Sequence, residues 1–491
     1  MGSTTAEHEH GPEGVDTTHP EGVGRRDLIK RSAALGLITV PTMSFLSACA
    51  SGGGGDDDTS EDTQGETSES NPFGVKKGSK LDVVIFKGGY GDAYAKAWEA
   101  AFQKKWGVTS THTGTQEITG KLQPRFNAGN PPDIVDDSGA QQIPIDVLYK
   151  NGQLLDLAAV LDAPSIDDPA KKVRDTLIPG TLDAGMQEDK VVALNYIYTV
   201  WGLWYSGKLF KDNGWEEPKT WADFLTICKE AKAKDIGGLA HQGKYPYYIN
   251  VAIMDLIAKT GGLEAMKAID NLDPKAFVGS DAAKAGVEAI YEIVEKGYLM
   301  PGTNGLTHTE SQTRWNQYKA VFITSGSWLE NEQLKQTPDD FDMKFMPMPL
   351  LPDSVMPFEA IRAGSGEPFI IPSKAKNLPA AKEFMRMMLS KEWSTLFAKE
   401  ANSLTILKDG VDPGVQLRPG TQSTVEASQA AGDNTFRYLY TEWYSEMDTA
   451  IQNASNELMA KRIQPAEWLK RAQAAVDKQA EDPDSKKNRR D

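Results

Sequence analysis

Two cysteines in 491 residues, Cys49 and Cys228, exclude a disulfide framework and a cysteine-rich zinc site. Histidine is also scarce. Of six, His8, His10 and His19 lie in the first twenty residues, and none has H-E-x-x-H or comparable metal spacing. Lys and Arg number 53 against 69 acidic residues, and a net charge of −16 argues against a phosphate-backbone partner, so no nucleic acid is expected. No apolar run reaches the roughly 20 residues that a membrane-spanning helix needs. The glycines of "KGGYGD" (87–92) lack the Gly-Lys-Ser ending of a phosphate loop, and no cofactor or metal is expected. What is present is ordinary: 40% hydrophobic and 25% charged residues, enough to fold most of the chain.

The N-terminus reads as an address. Arg25 and Arg26 open a charged start, a short apolar stretch runs to about Ala48, and small residues precede Cys49, the order of an export signal. "RRDLIK" resembles the twin-arginine export motif without its preferred phenylalanine, which leaves the general route open. "LSAC" (46–49) resembles a bacterial lipobox, which implies that Cys49 becomes the lipid-bearing first residue of the mature chain. Each buried CH₂ of such a lipid contributes roughly 0.8 kcal/mol to membrane anchoring. Residues 50–72 carry seven acidic and no basic residues among Gly and Ser, the composition of a flexible tether. The boundaries expected are 1–48 for the signal and 49–78 for the lipidated cysteine and tether.

From Leu81 the texture changes. "LDVVIF" is a buried-strand pattern. "DAYAKAWEAAFQKKWG" places Tyr94, Trp98, Ala101, Phe102 and Trp106 at helical spacing, with Gly107 as a stop. "PPDIVDD" begins as a strand, "VWGLWYSGKLF" is strand-like, and "PKTWADFLTICKEAKAK" is a helix with Thr220 as N-cap and Cys228 buried. "KAVFITSGSWLEN" is a strand running into a turn. The stretch from Thr435 reads as helical, with Trp443, Met447, Ile451 and Leu458 on one face. This alternation implies an α/β fold with a largely parallel sheet, in which ligands gather beyond strand C-termini.

Four pieces in register resemble the solute-binding proteins of ABC sugar importers, in the maltodextrin-binding group. They are "PPDIV", "WYSGKLFKDNGWEEPKTWADF", "NQYKAVFITSGSW" and "FIIPSKAKNLPAAKEFMRMML", over roughly 80–475. The closer resemblance is to actinobacterial lipoproteins that bind N-acetylglucosamine and N,N′-diacetylchitobiose. The resemblance implies a type II two-lobed fold with the ligand in the interlobe cleft. Lobe one would comprise 79–198 plus 366–410, and lobe two 199–365 plus 411–491. It further implies a monomer, lipid-held on the outer face of the cell membrane, that delivers a small carbohydrate to permease subunits.

A pyranose offers a C–H face to an aromatic ring and a rim of hydroxyls to carboxylates and amides. By resemblance, Trp328 takes the stacking position, with Trp443, Trp201, Tyr245, Tyr247 and Tyr90 as further cleft aromatics. Asp136, Asp137, Gln141 and Glu367 are the polar candidates. Trp98, Trp106, Trp221 and Trp468 read as core. A xylo-, malto- or cello-oligosaccharide fits the same argument, and a peptide, polyamine or iron complex is a more distant reading. A glycosidase needs two carboxylates about 5 to 9 Å apart across the scissile bond. The resemblance carries no catalytic residues, so no enzyme is expected.

Overall fold

A computed structural model describes residues 63–485 and 487–490. Arg25, Arg26 and Cys49 lie outside the described residues. The strands are β1 (Lys80–Phe86), β2 (Thr109–Thr115) and β3 (Ile134–Asp136), then the hairpin β4 (Met186–Gln187) and β5 (Lys190–Val191) before the long β6 (Leu194–Ser206). Next come β7 (Gly237–Ala240), β8 (Ala320–Gly326) and β9 (Met343–Met346). The last three are β10 (Ile361–Ile370), β11 (Leu404–Thr405) and β12 (Thr435–Phe436).

One sheet runs in the order β2-β1-β3-β10-β6-β8-β7, with β9 and β11 added to β6 and β12 to β10. Along that path it is parallel only at its ends, where β1 pairs β2 and β3 and where β7 pairs β8. In the middle, β10 is antiparallel to both β3 and β6, and β6 is antiparallel to β8. The expectation of a largely parallel sheet fails here because two long strands pass through the centre in opposite directions.

Each end has its own core. On the first, Leu81, Val83 and Ile85 of β1 pack with Tyr94, Trp98 and Phe102 of the helix Ala93–Trp106. Gly107 ends that helix at φ 68°, a conformation glycine adopts at no steric cost. Trp98 stacks on Trp393 at 5.6 Å and donates its indole N–H to the Trp393 carbonyl at 3.0 Å. On the second, Trp221, Phe224 and Cys228 of the helix Trp221–Lys232 join Trp468 and the helices Tyr247–Asp270 and Asp281–Glu295. Thr220 caps its helix by accepting the Asp223 N–H at 3.2 Å. Burial pushes the Cys228 thiol up, an inert core sulfur. Trp106 is half-buried against the first core.

Three local readings change. The strand expected across "VWGLWYSGKLF" stops at Ser206, whose hydroxyl accepts the Leu209 N–H at 3.1 Å and starts the helix Gly207–Asn213. Thr435–Phe436 is a strand, and Trp443 ends a short helix, Tyr440–Trp443. That helix is separate from Ser445–Met459, which buries Met447, Ile451 and Leu458. Residues 63–78, expected within the tether, carry backbone pairing and core contacts. Gln64 pairs with Val75 around a Ser68–Asn71 turn, Val75 enters the first core, and the Thr63 hydroxyl donates to the Lys376 carbonyl at 3.1 Å.

Candidate functional site

Where β6 leaves the first core for the second, it presents Trp201, and rings from three other segments gather on it. Trp328, at the start of the short helix Leu329–Glu332 after β8, meets Trp201 edge-on at 4.6 Å. Tyr247 and Tyr248, at the head of the helix Tyr247–Asp270, lie 5.2 and 5.8 Å from Trp201. Tyr90, from the loop after β1, reaches Trp328 at 6.4 Å. Tyr245 packs on His308 at 4.9 Å, and His308 stacks on Tyr248 at 6.0 Å. Tyr90, Trp201, Tyr245, Tyr247 and Trp328, far apart in sequence, thus come together.

Backbone without side chains makes the convergence possible. A Cβ on Gly89 would lie 2.9 Å from Trp328 Cδ1, closer than real Cβ contacts come, and one on Gly326 would overlap the same indole. Asn331 donates its amide N–H to the Gly89 carbonyl at 2.6 Å, tying the loop after β1 to the helix that carries Trp328. That helix is anchored in turn. Glu330 accepts the Gly420 and Thr421 N–H groups at 2.9 and 2.7 Å, satisfying first-turn donors of the helix Pro419–Ala431.

The acidic candidates sit differently from one another. Asp136 ends β3 and Asp137 follows it, both with no exposure rather than facing a crevice. Asp136 accepts from the Tyr94 hydroxyl at 3.0 Å and from Ser138. Asp137 Oδ1 accepts the Ile143 N–H at 2.9 Å, and Asp137 Oδ2 is buried without a partner. Burial pushes Asp136 up to about 7 and Asp137 up to about 8. Glu367 holds a left-handed φ of 58° on β10, and burial, then the Asp136 charge, push its carboxyl well up. Gln141 is not brought to the rings. Its side chain is exposed, and its carbonyl accepts the Thr119 N–H and hydroxyl at 2.9 and 2.7 Å.

Trp443 lies on the second core, 6% exposed, with its indole N–H buried and unpartnered. Contacts to the other end of the molecule flank it. Gln187 donates to the Glu442 carbonyl at 3.3 Å, and Ser445 to Asp146 at 3.0 Å.

Several residues of this region escape sequence reasoning. Tyr248 stands beside Tyr247 in the "YPYY" run, a readable signal. His308 and Glu332, 3.3 Å apart, have none. Arg362 faces Trp201 across β10 and β6, and its signal is alternation with Gly364 and Gly366 in "IRAGSGE". Aromatic faces and edges gathered in this way suit the C–H face of a neutral, polyhydroxylated ligand. Among the described residues, no group of three or more His, Cys, Asp or Glu could hold a metal ion, and no helix is long and apolar enough to cross a membrane.

The profile of the bacterial extracellular solute-binding protein family matches residues 88–395. The chain is 36% identical over 421 residues to the diacetylchitobiose binding protein NgcE of Streptomyces coelicolor, covering 85% of this chain and 89% of that one. It is 24% identical over 390 residues to a maltooligosaccharide ABC transporter solute-binding lipoprotein of Streptococcus pneumoniae, covering 77% and 80%. Among solved structures, a chitin oligosaccharide binding protein superimposes with a TM-score of 0.63 at 19% identity, covering 78% of this chain and 94% of that one.

Proposed function

Because the chain belongs to the bacterial extracellular solute-binding protein family, we propose that it captures N-acetylglucosamine and N,N′-diacetylchitobiose for an ABC importer. The fold is the two-lobed type II form of sugar-binding proteins. Its lobes, in this reading, are 79–198 plus 366–410 and 199–365 plus 411–491, with β6 and β10 crossing between them. The observation that carries the reading is the convergence of Tyr90, Trp201, Tyr247 and Trp328 on the crossing strands. Trp328 supplies the stacking surface. Trp201, Trp443, Tyr90, Tyr245 and Tyr247 complete the apolar walls, Asp136 and Asp137 order the hydroxyl rim from beneath, and Glu367 contacts it. The diacetylchitobiose-binding relative supports the acetamido sugar. The protein binds and releases without turnover, and the closed form docks on permease subunits as a monomer.

Calorimetric titration against N-acetylglucosamine, diacetylchitobiose, maltose, cellobiose and xylobiose tests the ligand. Tight binding of the two acetamido sugars alone is expected, with the sugar recovered intact after long incubation. Preference for any of the others overturns the ligand assignment, and hydrolysis overturns binding without turnover.

The same reading places the protein on the outer face of the membrane, exported by the Arg25–Arg26 signal and lipidated at Cys49. A lipoprotein among the relatives supports the anchor. Cells fed labelled palmitate should label the protein, and Cys49→Ala should abolish the label and release the chain to the medium. Labelling that persists in the variant would remove Cys49 from the role.

A further inference from the structure

The helix Leu329–Glu332 and the residue after it carry four polar side chains in a row, and three of them hold the fold together. Glu330 accepts first-turn N–H groups of the helix Pro419–Ala431, and Asn331 ties down Gly89. Gln333 donates to Gln312 at 2.8 Å and accepts from Asn316 at 3.0 Å. Glu332 is the exception. Its Oε1 lies 3.3 Å from His308 Nε2, and its Oε2 is buried with no partner among the described residues. His308 Nδ1 is likewise buried and unpartnered. Buried polar atoms left open are costly unless something fills the gap.

Both open atoms border the aromatic site. Glu332 stands one helical turn after Trp328 and donates its N–H to the Trp328 carbonyl at 2.9 Å, so the two side chains share a face. His308 stacks on Tyr248 at 6.0 Å and 15° between planes, and Tyr248 meets Trp328 at 6.5 Å. Trp328, Glu332, His308 and Tyr248 therefore close a circuit. It is braced from behind. Thr307 caps the helix His308–Asn316 by accepting the Glu310 N–H at 3.2 Å, and the Gln312–Gln333 bond lies one turn further along that helix. Gln333 thus joins the two helices without His308 and Glu332, which leaves that pair available to a ligand.

The chemistry of the pair follows from its contact. With its proton on Nε2, facing the carboxylate, a neutral imidazole keeps Nδ1 as an acceptor, and a carboxylate oxygen also accepts. We propose that His308 and Glu332 form the edge of the site that reads two neighbouring donors on one pyranose, Glu332 Oε2 accepting from one and His308 Nδ1 from the other. Adjacent ring hydroxyls supply such donors, and so do an acetamido N–H and the hydroxyl beside it. Trp328 covers the C–H face while the pair takes the rim. This rests on the reading above that the rings hold a sugar.

The test uses the full chain as wild type, Glu332→Ala, Glu332→Gln and His308→Phe, titrated with diacetylchitobiose, cellobiose and maltose. For the sugar that wild type binds, Glu332→Ala should weaken binding by about ten- to a hundredfold, and Glu332→Gln, which keeps one oxygen, by less. His308→Phe keeps a ring on Tyr248 and should cost about three- to tenfold. In the wild type, sugar should move the His308 Nδ1 resonance upfield, as accepting a hydrogen bond does to a bare imidazole nitrogen. That resonance is assigned through its proximity to the Tyr245 and Tyr248 rings, so the readout survives poor folding of any variant. Wild-type binding with no movement of Nδ1, or Glu332→Ala binding within twofold, overturns the pair and leaves the sugar reading standing. If wild type prefers cellobiose or maltose, the acetamido assignment fails, and the same losses measured with that sugar uphold the pair. If wild type binds none of the three, the sugar reading and the pair fall together.

Discussion

Trp328→Ala is expected to weaken sugar binding by about thirty- to a thousandfold, the cost of removing a central aromatic anchor at about 2–4 kcal/mol. Trp328 is only half-buried and sits at the edge of the first core, so the fold should survive its loss. The effect reaches past one ring, because Trp201, Tyr90 and Tyr248 each use Trp328 as a neighbour. Trp328→Phe keeps a smaller platform and should recover part of the affinity. Calorimetry beside a thermal melt separates the two effects: a retained melting temperature with lost binding is the expected pair, and a dissociation constant within threefold of wild type would remove Trp328 from the site.

A second large effect is expected from pH. Asp136, Asp255 and Asp448 are pushed up to about 7 and Asp137 to about 8, burial being the first cause in each case. An unfolded aspartate titrates near 3.9. Between these values the folded chain holds more protons than the unfolded one, so stability is greatest on the acid side and is lost as pH rises through 7 to 8. Asp137 alone accounts for about 3 kcal/mol between pH 5 and pH 8. His241, buried and lowered to about 4, acts in the opposite direction below pH 6.5, but it is one group against four. Lys259, buried and lowered to about 7, recovers stability only above that pH. Urea unfolding at pH 5.0, 6.5 and 8.0 should show a falling midpoint. Asp137→Asn, which keeps an acceptor for the Ile143 N–H, should flatten the fall. A midpoint that is higher at pH 8 would show that these carboxyls are ionised in the folded protein.

Much of the scaffold was legible because local signals decide it. The apolar run of β1, the 3.6-residue spacing from Tyr94 to Trp106, and the Thr220 cap each state their own structure within a dozen residues. The centre was not legible. Whether β10 lies parallel or antiparallel to its neighbours depends on how two distant halves join, and nothing near residue 365 encodes it. The same limit governs the site. Positions 90, 201, 247 and 328 show no relation along the chain, and only family resemblance brought them together. Asp136 and Asp137 read as ligand-facing acids, and their burial as acceptors had no local signal, since a carboxylate at a strand end serves either role. Arg362 was passed over because a lone arginine in a strand usually reaches solvent. Its burial depends on β6, β12 and the helices after residue 437.

The insertion of β10 between β3 and β6 also sets a timetable for the growing chain. Once β3 has formed on β1, its other edge exposes unpaired N–H and C=O groups. Their partners are Phe369 and Ile370, which are synthesised long afterwards. β10 then takes its last neighbour, β12, from residues 435–436. Until residues 435–436 have been made, the early strands form an unclosed sheet that can pair with another copy. The cell must either shield this chain from its neighbours or keep it unfolded until β10 and β12 arrive.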